Sequence, residues 1–310
     1  MSTLGPLESE RPDAPVSGLL YAKPLGPGRV RWVVDVRLVP VRDSPALLLE
    51  PEDRRRPRTL VVADVHLGLG GTRARPEGPP EGSAGRLADD LVALIRATRA
   101  DAVLVAGDAK HPIVGTPPPL RPVVFGFFAR LLEEGVPVDL VLGNHDVGIV
   151  PYLPREVGVH PAGGILRDGV GIFHGHRWPS NPLLRARHLV AGHLHPGYRL
   201  APTADDPEGK RRCWVRVELI PAPRGPRRRR RHAELAAREL VVLPAFHPLA
   251  GIEALNRNRP GRGRSFLYQR FLSRGTPRAY LLDGTDVGPL PMPLGPERRK
   301  RARSERPPAP

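Results

Sequence analysis

The sequence has 310 residues, enough for one large domain with a substantial core, and 40% of them are hydrophobic, which excludes a wholly disordered chain. No apolar run approaches the roughly 20 residues that cross a bilayer, and residues 1–15 lack the basic and apolar regions of a signal peptide. The single cysteine, Cys213, excludes an intramolecular disulfide and a thiolate-rich metal site. These features together predict a cytoplasmic protein without a membrane segment.

The net charge of +16 is concentrated in two short stretches. Arg224 and Arg227 to Arg231 carry six positive charges without an acidic residue between them, and residues 296–306 carry six basic and two acidic residues. Such stretches either hold a polyanion such as nucleic acid or remain solvated. Arginine is abundant, whereas Asn, Gln and Cys are scarce, a composition typical of thermophiles and also of GC-rich coding.

In chain order, residues 1–30 are rich in Pro and Gly and predict a flexible N-terminal arm. The main domain is then predicted over residues 31–283. Ser83 is a predicted N-cap, and the spacing of Leu87, Leu91, Leu94 and Ile95 predicts a helix that ends near Thr98. A second helix is predicted over 120–134. Apolar or alternating runs predict strands at 31–41, 46–50, 59–63, 102–106, 138–142, 170–173, 188–191, 213–220, 239–243 and 279–282.

Two later segments interrupt or follow this pattern. Residues 221–233 are of low complexity and predict a basic, disordered loop. From Gly284 to Pro310, Pro and Arg dominate, which predicts a disordered tail. In the strand at 213–220, Val215, Val217 and Leu219 alternate with Trp214, Arg216 and Glu218, so we expect Trp214 on the polar face.

Several predicted strands end in a polar turn that contains Asp, Asn or His. Ligand sites of α/β proteins form outside the carboxyl ends of strands, so these turns are predicted to converge. Taken singly, a buried Asp or His at a strand end is more often only hydrogen-bonded to nearby backbone. The ordered set indicates a metal site: Asp64-Val65-His66, Gly107-Asp108, Gly143-Asn144-His145-Asp146, His174-Gly175-His176 and Gly192-His193-Leu194-His195.

These segments resemble the DxH, GD, GNH(D/E), H and GHxH pattern of the calcineurin-like metallophosphoesterases, over about residues 59–196. The resemblance implies an α/β fold, namely a two-sheet α/β/β/α sandwich. It also implies two divalent metal ions, and Mn²⁺ is favoured because members of the superfamily commonly use it. Many members read GDxxD at the second motif. Here Gly107-Asp108-Ala109-Lys110-His111 keeps the first aspartate and lacks the second.

The resemblance also implies a role for each site residue. It assigns Asp64, His66 and His195 to the first metal and Asn144, His174 and His193 to the second, with Asp108 as the bridge. It places His145 beside the leaving group, and a neighbouring Asp146 would orient that imidazole. His176 and Arg177 are expected to contact the phosphate, or merely to pack at the rim. The two ions would lower the pKa of a bridging water, and the resulting hydroxide would attack phosphorus.

A narrower resemblance concerns residues 63–68, 193–196 and 243–246. They are similar to the ICC-like phosphoesterases of archaea and to the bacterial endonucleases encoded with a DNA ligase and helicase. This implies a phosphodiesterase or nuclease, with Arg227 to Arg231 and the C-terminal tail contacting nucleic acid. One alternative is a small-molecule phosphodiesterase or phosphatase. Another is a non-catalytic nucleic-acid-binding scaffold, although scaffolds of this kind usually lose metal ligands that are all present here.

Overall fold

The computed structural model describes residues 36–70, 83–203, 206–219, 237–257 and 266–291. The predicted N-terminal arm, the predicted basic loop at 221–233 and residues 292–310 lie outside these ranges. No helix in the described ranges is both long and apolar enough to cross a membrane. The strands are β1 Val36–Pro40, β2 Leu47–Pro51, β3 Thr59–Val62, β4 Ala102–Val105, β5 Val138–Val141, β6 Gly158–His160, β7 Ile165–Arg167, β8 Val170–Phe173, β9 His188–Ala191, β10 Pro196–Arg199, β11 Lys210–Leu219, β12 Glu239–Val242, β13 Glu253–Ala254, β14 Gly275–Leu281 and β15 Asp286–Pro289.

Three α-helices occur within the described ranges: α1 Ala84–Thr98, α2 Arg121–Leu132 and α3 Phe266–Arg270. The predicted start of α1 is confirmed, because the Ser83 hydroxyl accepts a hydrogen bond from the backbone N–H of Arg86. This cap satisfies one of the free N–H groups of the first turn. At the other end Arg99 takes a left-handed conformation and closes the helix.

The strands form two sheets. The first has the order β1-β2-β3-β4-β5-β6, in which β3 to β6 are mutually parallel. The second has the order β13-β10-β11-β12-β9-β8-β7, and β14 pairs with both β11 and β15. Parallel pairing of β3, β4 and β5 brings their carboxyl ends to one edge, and β8 and β9 of the second sheet are likewise parallel. The five motif turns follow these five strands.

Three buried clusters give the layers of the fold. One packs α1 and α2 on the first sheet, for example through Leu91 and Phe128 against Leu60 and Val105. A second fills the space between the sheets, and a third packs α3 on the outer face of the second sheet. Neighbouring residues of β3 point to opposite layers, as the two-residue period of a strand requires. The predicted α/β/β/α sandwich is confirmed.

The structure corrects the predicted end of the domain. Asp286–Pro289 form β15, which pairs antiparallel with β14, so the first residues of the predicted disordered tail belong to the second sheet. Pro289 is compatible with this position because it stands at the end of a short strand, where a missing N–H costs little. Trp214 lies on the face of β11 that exposes Arg216 and Glu218, but only 3% of Trp214 is exposed, because it packs in the cluster between the sheets.

Candidate metal centre

The predicted ligands lie together at the carboxyl ends of the strands. Asp64, His66 and His195 present ligand atoms that all lie within 4.8 Å of one another, and so do Asp108, His174 and His193. We call these groups the Asp64 cluster and the Asp108 cluster. They correspond to the two ligand sets that the resemblance implies, with Asp108 in the second.

Unusual backbone conformations place these side chains. Eight non-glycine residues in the described ranges have positive φ, and five of them are predicted ligands: Asp64, His66, Asp108, His193 and His195. Left-handed backbone is costly for residues with a Cβ, and it persists where the surroundings fix it. Hydrogen bonds provide that support, since the N–H of Asp64 donates to the carbonyl of Gly107 and the N–H of His66 donates to that of Asp108.

The glycines of the motifs leave room for the ligands. A Cβ at Gly107 would lie 2.4 Å from Nδ1 of His174, and a Cβ at Gly143 would lie 2.2 Å from Oδ1 of Asp108. Both distances are too short for a side chain. Gly107 and Gly143 are therefore required by the close approach of ligand side chains, which explains why the second and third motifs begin with glycine.

Backbone carbonyls fix the orientation of two imidazoles. His174 donates from Nδ1 to the carbonyl of Ala106 at 2.9 Å, and His195 donates from Nδ1 to the carbonyl of Gly251 at 3.0 Å. Each ring therefore presents Nε2 to the cluster, with Nε2 of His174 at 3.1 Å from Oδ2 of Asp108 and Nε2 of His195 at 3.3 Å from Oδ1 of Asp64. Anchoring of the second nitrogen is the usual arrangement of metal-ligating histidine.

The charge states of the clusters follow from burial and from the two carboxylates. Burial lowers the pKa of both His66 and His193 to about 4, so these imidazoles are neutral at pH 7. Burial acts in the same direction on His174, yet its contact with Asp108 raises its pKa to about 9. Burial by itself would raise the pKa of Asp64, but hydrogen bonding to His195 holds it below its usual value. Burial would also raise the pKa of Asp108, but hydrogen bonding with His174 holds it below its usual value. Both carboxylates are therefore ionised and able to bind a cation.

The donor set fits divalent metal ions. Oδ1 of Asn144 is buried without a hydrogen-bond partner among the described residues. Nε2 of His66 lies 3.1 Å from Nε2 of His195, an arrangement in which only one nitrogen can donate. A buried amide oxygen without a partner is costly, and a cation bound beside it would satisfy it. The two imidazole nitrogens could likewise turn their lone pairs to a cation between them. Carboxylate, amide oxygen and imidazole are ligands that suit Mn, Fe, Co, Ni and Zn.

Residues 57–200 match the family model of the calcineurin-like phosphoesterases. The chain therefore contains a calcineurin-like phosphoesterase domain in this segment. It is therefore a phosphoric ester hydrolase of a family that uses divalent metals, and the Asp64 and Asp108 clusters of the phosphoesterase domain could bind them.

Solved structures that are similar to the chain include two hydrolases. One is the crystal structure of Pseudomonas putida nuclease MPE, with 20% identity, coverage of 83% of this chain and 100% of that one, and a TM-score of 0.47. The other is YfcE, a phosphoesterase from E. coli, with 14% identity, coverage of 76% and 99%, and a TM-score of 0.33. Among curated protein sequences, none matches the chain.

His145 lies beside the metal centre of the phosphoesterase domain, with Nε2 at 3.8 Å from Oδ2 of Asp108. Its ring is oriented by the carbonyl of His111, to which Nδ1 donates a hydrogen bond. The expectation that Asp146 orients this imidazole is therefore wrong. Asp146 instead accepts hydrogen bonds from the N–H groups of Gly143, Ala109 and Lys110, which ties the second and third motif turns together.

The other predicted site residues lie at the margin of the Asp108 cluster. The ring of His176 is 5.4 Å from that of His174 and 6.1 Å from that of His193, centroid to centroid. Nδ1 of His176 is buried without a hydrogen-bond partner among the described residues, and Arg177 is exposed. His176 is thus placed where it could contact a molecule bound at the Asp108 cluster.

Three contributors to the site were not among the predicted site residues. His111 joins His66 and His145 in a further group of imidazoles, and Lys110 is fully buried with Nζ donating to the carbonyls of Pro112 and His145. Gly251 anchors His195 from 56 residues further along the chain. The available signal for the first two was the histidine that replaces the second aspartate of GDxxD, preceded by a lysine. For Gly251, the available signal was the nearby segment 243–246, which belongs to the narrower resemblance.

Proposed function

We propose that the chain is a phosphodiesterase that uses two divalent metal ions, Mn²⁺ being the metal we favour. Asp64, His66 and His195 would hold one ion, Asn144, His174 and His193 the other, and Asp108 would bridge them. The observation that carries the proposal is the packing of the Asp64 and Asp108 clusters against each other, with Nδ1 of His174 at 3.9 Å from Oδ1 of Asp64. When bound, such a pair of ions offsets the negative charge of the phosphate and makes water acidic enough to supply the nucleophile.

In this proposal His145 acts on the leaving group. Its Nδ1 is committed to the carbonyl of His111, so Nε2 is the nitrogen that can carry a proton to the departing oxygen. The half-buried ring lies next to the proposed bridging carboxylate, since Nε2 is 3.8 Å from Oδ2 of Asp108. As a general acid it would contribute most when the leaving alcohol is a poor leaving group.

His176 and Arg177 are proposed to contact the phosphate. Burial lowers the pKa of His176 to about 4, so it would act as a neutral hydrogen-bond donor at pH 7, whereas Arg177 would supply a charge. Arg177 is exposed and adjacent in sequence, which allows it to reach a ligand from the solvent side.

The proposed substrate is a nucleic acid, so that the enzyme would be a nuclease. The positive charge of Arg227 to Arg231 and of residues 296–306 supports this, because phosphodiester backbones bind such stretches with little sequence preference. Both stretches lie outside the described residues. The alternative is a small-molecule phosphodiesterase or phosphatase, which needs no cationic segment.

The cytoplasm is the proposed compartment, and a thermophile the proposed source. Cys213 is fully buried, and burial raises the pKa of its thiol to about 12, so it is inert and compatible with a reducing compartment. The scarcity of Asn and Gln supports the second proposal.

A metal-by-substrate matrix tests the proposed function. Metal-free protein would be supplied with Mn²⁺, Co²⁺, Ni²⁺, Zn²⁺ or Mg²⁺ and assayed on bis-p-nitrophenyl phosphate, p-nitrophenyl phosphate, cyclic nucleotides and DNA. We expect turnover of the diester and of DNA with Mn²⁺. Turnover of the monoester alone would favour a phosphatase, and no turnover with any metal would favour the non-catalytic scaffold.

A further inference from the structure

Five large apolar side chains are exposed on segments that adjoin the metal centre. Ile113 and Val114 are 56% and 86% exposed, Val147 and Val150 are 61% and 49% exposed, and Phe125 is 51% exposed. We call these five residues the apolar rim. They are five of the eight large hydrophobic residues exposed in the described ranges. Single exposed apolar residues are ordinary, whereas a cluster of them marks a binding surface.

Hydrogen bonds hold the segments of the apolar rim together. The hydroxyl of Thr116 donates to the carbonyl of Gly148 at 2.9 Å, which joins the loop after His111 to the loop after His145. Arg121 donates from Nε to the carbonyl of Thr116, and its guanidinium lies 4.7 Å from the centroid of the Tyr152 ring. Phe125 follows Arg121 by one helical turn and therefore lies on the same face of α2.

The same two loops carry the imidazole proposed to act on the leaving group. Nδ1 of His145 donates to the carbonyl of His111, and Nζ of Lys110 donates to the carbonyl of His145. Val147 is two residues after His145, and Ile113 is two residues after His111, so each Cα lies within about 8 Å of that of its histidine. The apolar rim thus adjoins the side of the centre from which the leaving group departs.

We propose that the apolar rim binds the organic group attached to the leaving oxygen, and that this group is a flat aromatic one, an aryl ring or a nucleobase. The inference rests on the proposed function, since it assigns the leaving side by His145. A shallow surface of valine and isoleucine favours a rigid ring, which covers several side chains without losing rotatable bonds, over a flexible alkyl chain. Arg121 adds a positive charge at the edge of the apolar rim, which would suit a further phosphate if the group belongs to a nucleotide chain.

The test compares diesters that differ only in the leaving group. With Mn²⁺ bound, KM and kcat would be measured for a methyl phenyl phosphate and for a methyl fluoroalkyl phosphate whose leaving group has the same acidity. A dinucleoside monophosphate forms a third arm that separates nucleobase from aryl recognition. The variant carries Val114→Ser and Val147→Ser, and the control carries Val39→Ser, an exposed valine on the edge strand β1.

We expect the double variant to raise the ratio of phenyl KM to fluoroalkyl KM about five- to tenfold, because apolar contact area is lost. The control should keep the wild-type ratio. A rise for the dinucleoside monophosphate alone would identify the group as a nucleobase, and a rise for both would identify a general aromatic site. Turnover with equal ratios in all three proteins would overturn the role of the rim and leave the phosphodiesterase intact, as expected if another protein covers the rim. Absence of turnover of every diester by the wild type would overturn the proposed function and this inference with it.

Discussion

Oδ1 of Asp108 accepts a hydrogen bond from the backbone N–H of His145 at 2.8 Å. The proposed bridging carboxylate and the proposed leaving-group residue are thus joined directly. Oδ2 of Asp108 remains available to the cluster, at 3.1 Å from Nε2 of His174. Burial would raise the pKa of Asp108, but its contacts with His174 and His145 hold that pKa far below its usual value, so the carboxylate keeps its charge.

Asp108→Asn should abolish phosphodiester hydrolysis and lower the metal content. The amide keeps the size of the side chain but removes the negative charge that two cations would share. Metal per chain would be measured after equilibration with Mn²⁺, and turnover with bis-p-nitrophenyl phosphate. Asp168→Asn is the matched control, because Asp168 is a buried carboxylate paired with Arg56 at 2.8 Å. Two metals per chain with wild-type turnover in Asp108→Asn would show that the site assignment is wrong.

His145→Ala should retain both metals and lose activity in proportion to the difficulty of the leaving group. Removal of a general acid costs about 10²–10⁴ in rate. The loss should therefore be large for a dinucleoside monophosphate and small for a p-nitrophenyl ester, whose leaving group needs no proton. An equal loss for both substrates would assign charge stabilisation, not acid catalysis, to His145.

Lys110→Met should lower kcat, because the substitution disturbs the position of His145. The buried ammonium of Lys110 donates to the carbonyls of His145 and Pro112, the latter at 2.5 Å, so methionine leaves both oxygens without this donor. We expect kcat for poor leaving groups to fall about tenfold, since leaving a buried polar group unsatisfied costs roughly 1–3 kcal/mol and lets the loop shift. The metal content should be retained.

The ratio of kcat for good and poor leaving groups separates positioning from general stability in this variant. A lower melting temperature with an unchanged ratio would limit Lys110 to a structural role. Phe128→Leu, a change in the packing between α2 and the first sheet, controls for destabilisation alone, because Phe128 is fully buried in that cluster.

Asp139 makes the free energy of unfolding depend on pH in the acidic range. It lies on β5 of the first sheet and pairs with Arg167 on β7 of the second at 2.5 Å, and with His160 at 2.7 Å. Burial would raise the pKa of Asp139, but hydrogen bonding to His160 and the charge of Arg167 bring it below the usual value. The folded state therefore binds fewer protons than the unfolded state, and this contribution to stability is present above about pH 4 and lost below it.

We expect the free energy of unfolding of Asp139→Asn to fall less steeply than that of the wild type as the pH decreases from about 5 to 3. Urea unfolding at several pH values would measure both slopes. Glu156→Gln, at an exposed position, is the control and should follow the wild type. Identical slopes for wild type and Asp139→Asn would show that the pair between the sheets contributes nothing to acid sensitivity.

The sequence alone was sufficient to predict local features that only a few residue types can form. Ser83 was predicted as a cap, and motif glycines such as Gly107 marked turns at strand ends, because caps and tight approaches restrict the residue that fits. Contacts between distant segments were not visible in spacing. The carbonyls of His111 and Gly251 orient His145 and His195, and any residue type can supply a carbonyl.

Local composition and alternation gave a wrong prediction where strand pairing or packing against a second layer determines the structure. The segment 286–289 contains Gly and Pro, yet it forms β15 because β14 offers an unpaired edge. Trp214 shares a face of β11 with Arg216 and Glu218, which are exposed, yet Trp214 itself is buried in the cluster between the two sheets. A second layer thus buries one position of a face whose other members follow the alternating pattern.

The last prediction concerns Arg227 to Arg231, which lie between β11 and β12 in the sequence and outside the described residues. If these five charges hold a nucleic-acid backbone, the chain should bind single- or double-stranded nucleic acid with little sequence preference. Neutralising about five phosphates gives a slope of roughly −4 to −5 in a plot of log affinity against log salt. Replacing all five arginines with serine should weaken binding and flatten the slope, while hydrolysis of a small diester is retained because the ligands lie in other segments.

A variant with lysine at the same five positions is the matched control. Lysine keeps the charge, so the salt slope should be retained, since counterion release depends on charge and not on the fork of the guanidinium. Binding to a labelled oligonucleotide would be measured from about 50 to 300 mM salt for the wild type and both variants. Equal affinities and slopes for the wild type and the serine variant would make the five arginines a solvated segment. The chain would then be better explained as a small-molecule phosphodiesterase, because no feature of the described residues requires a polyanionic substrate.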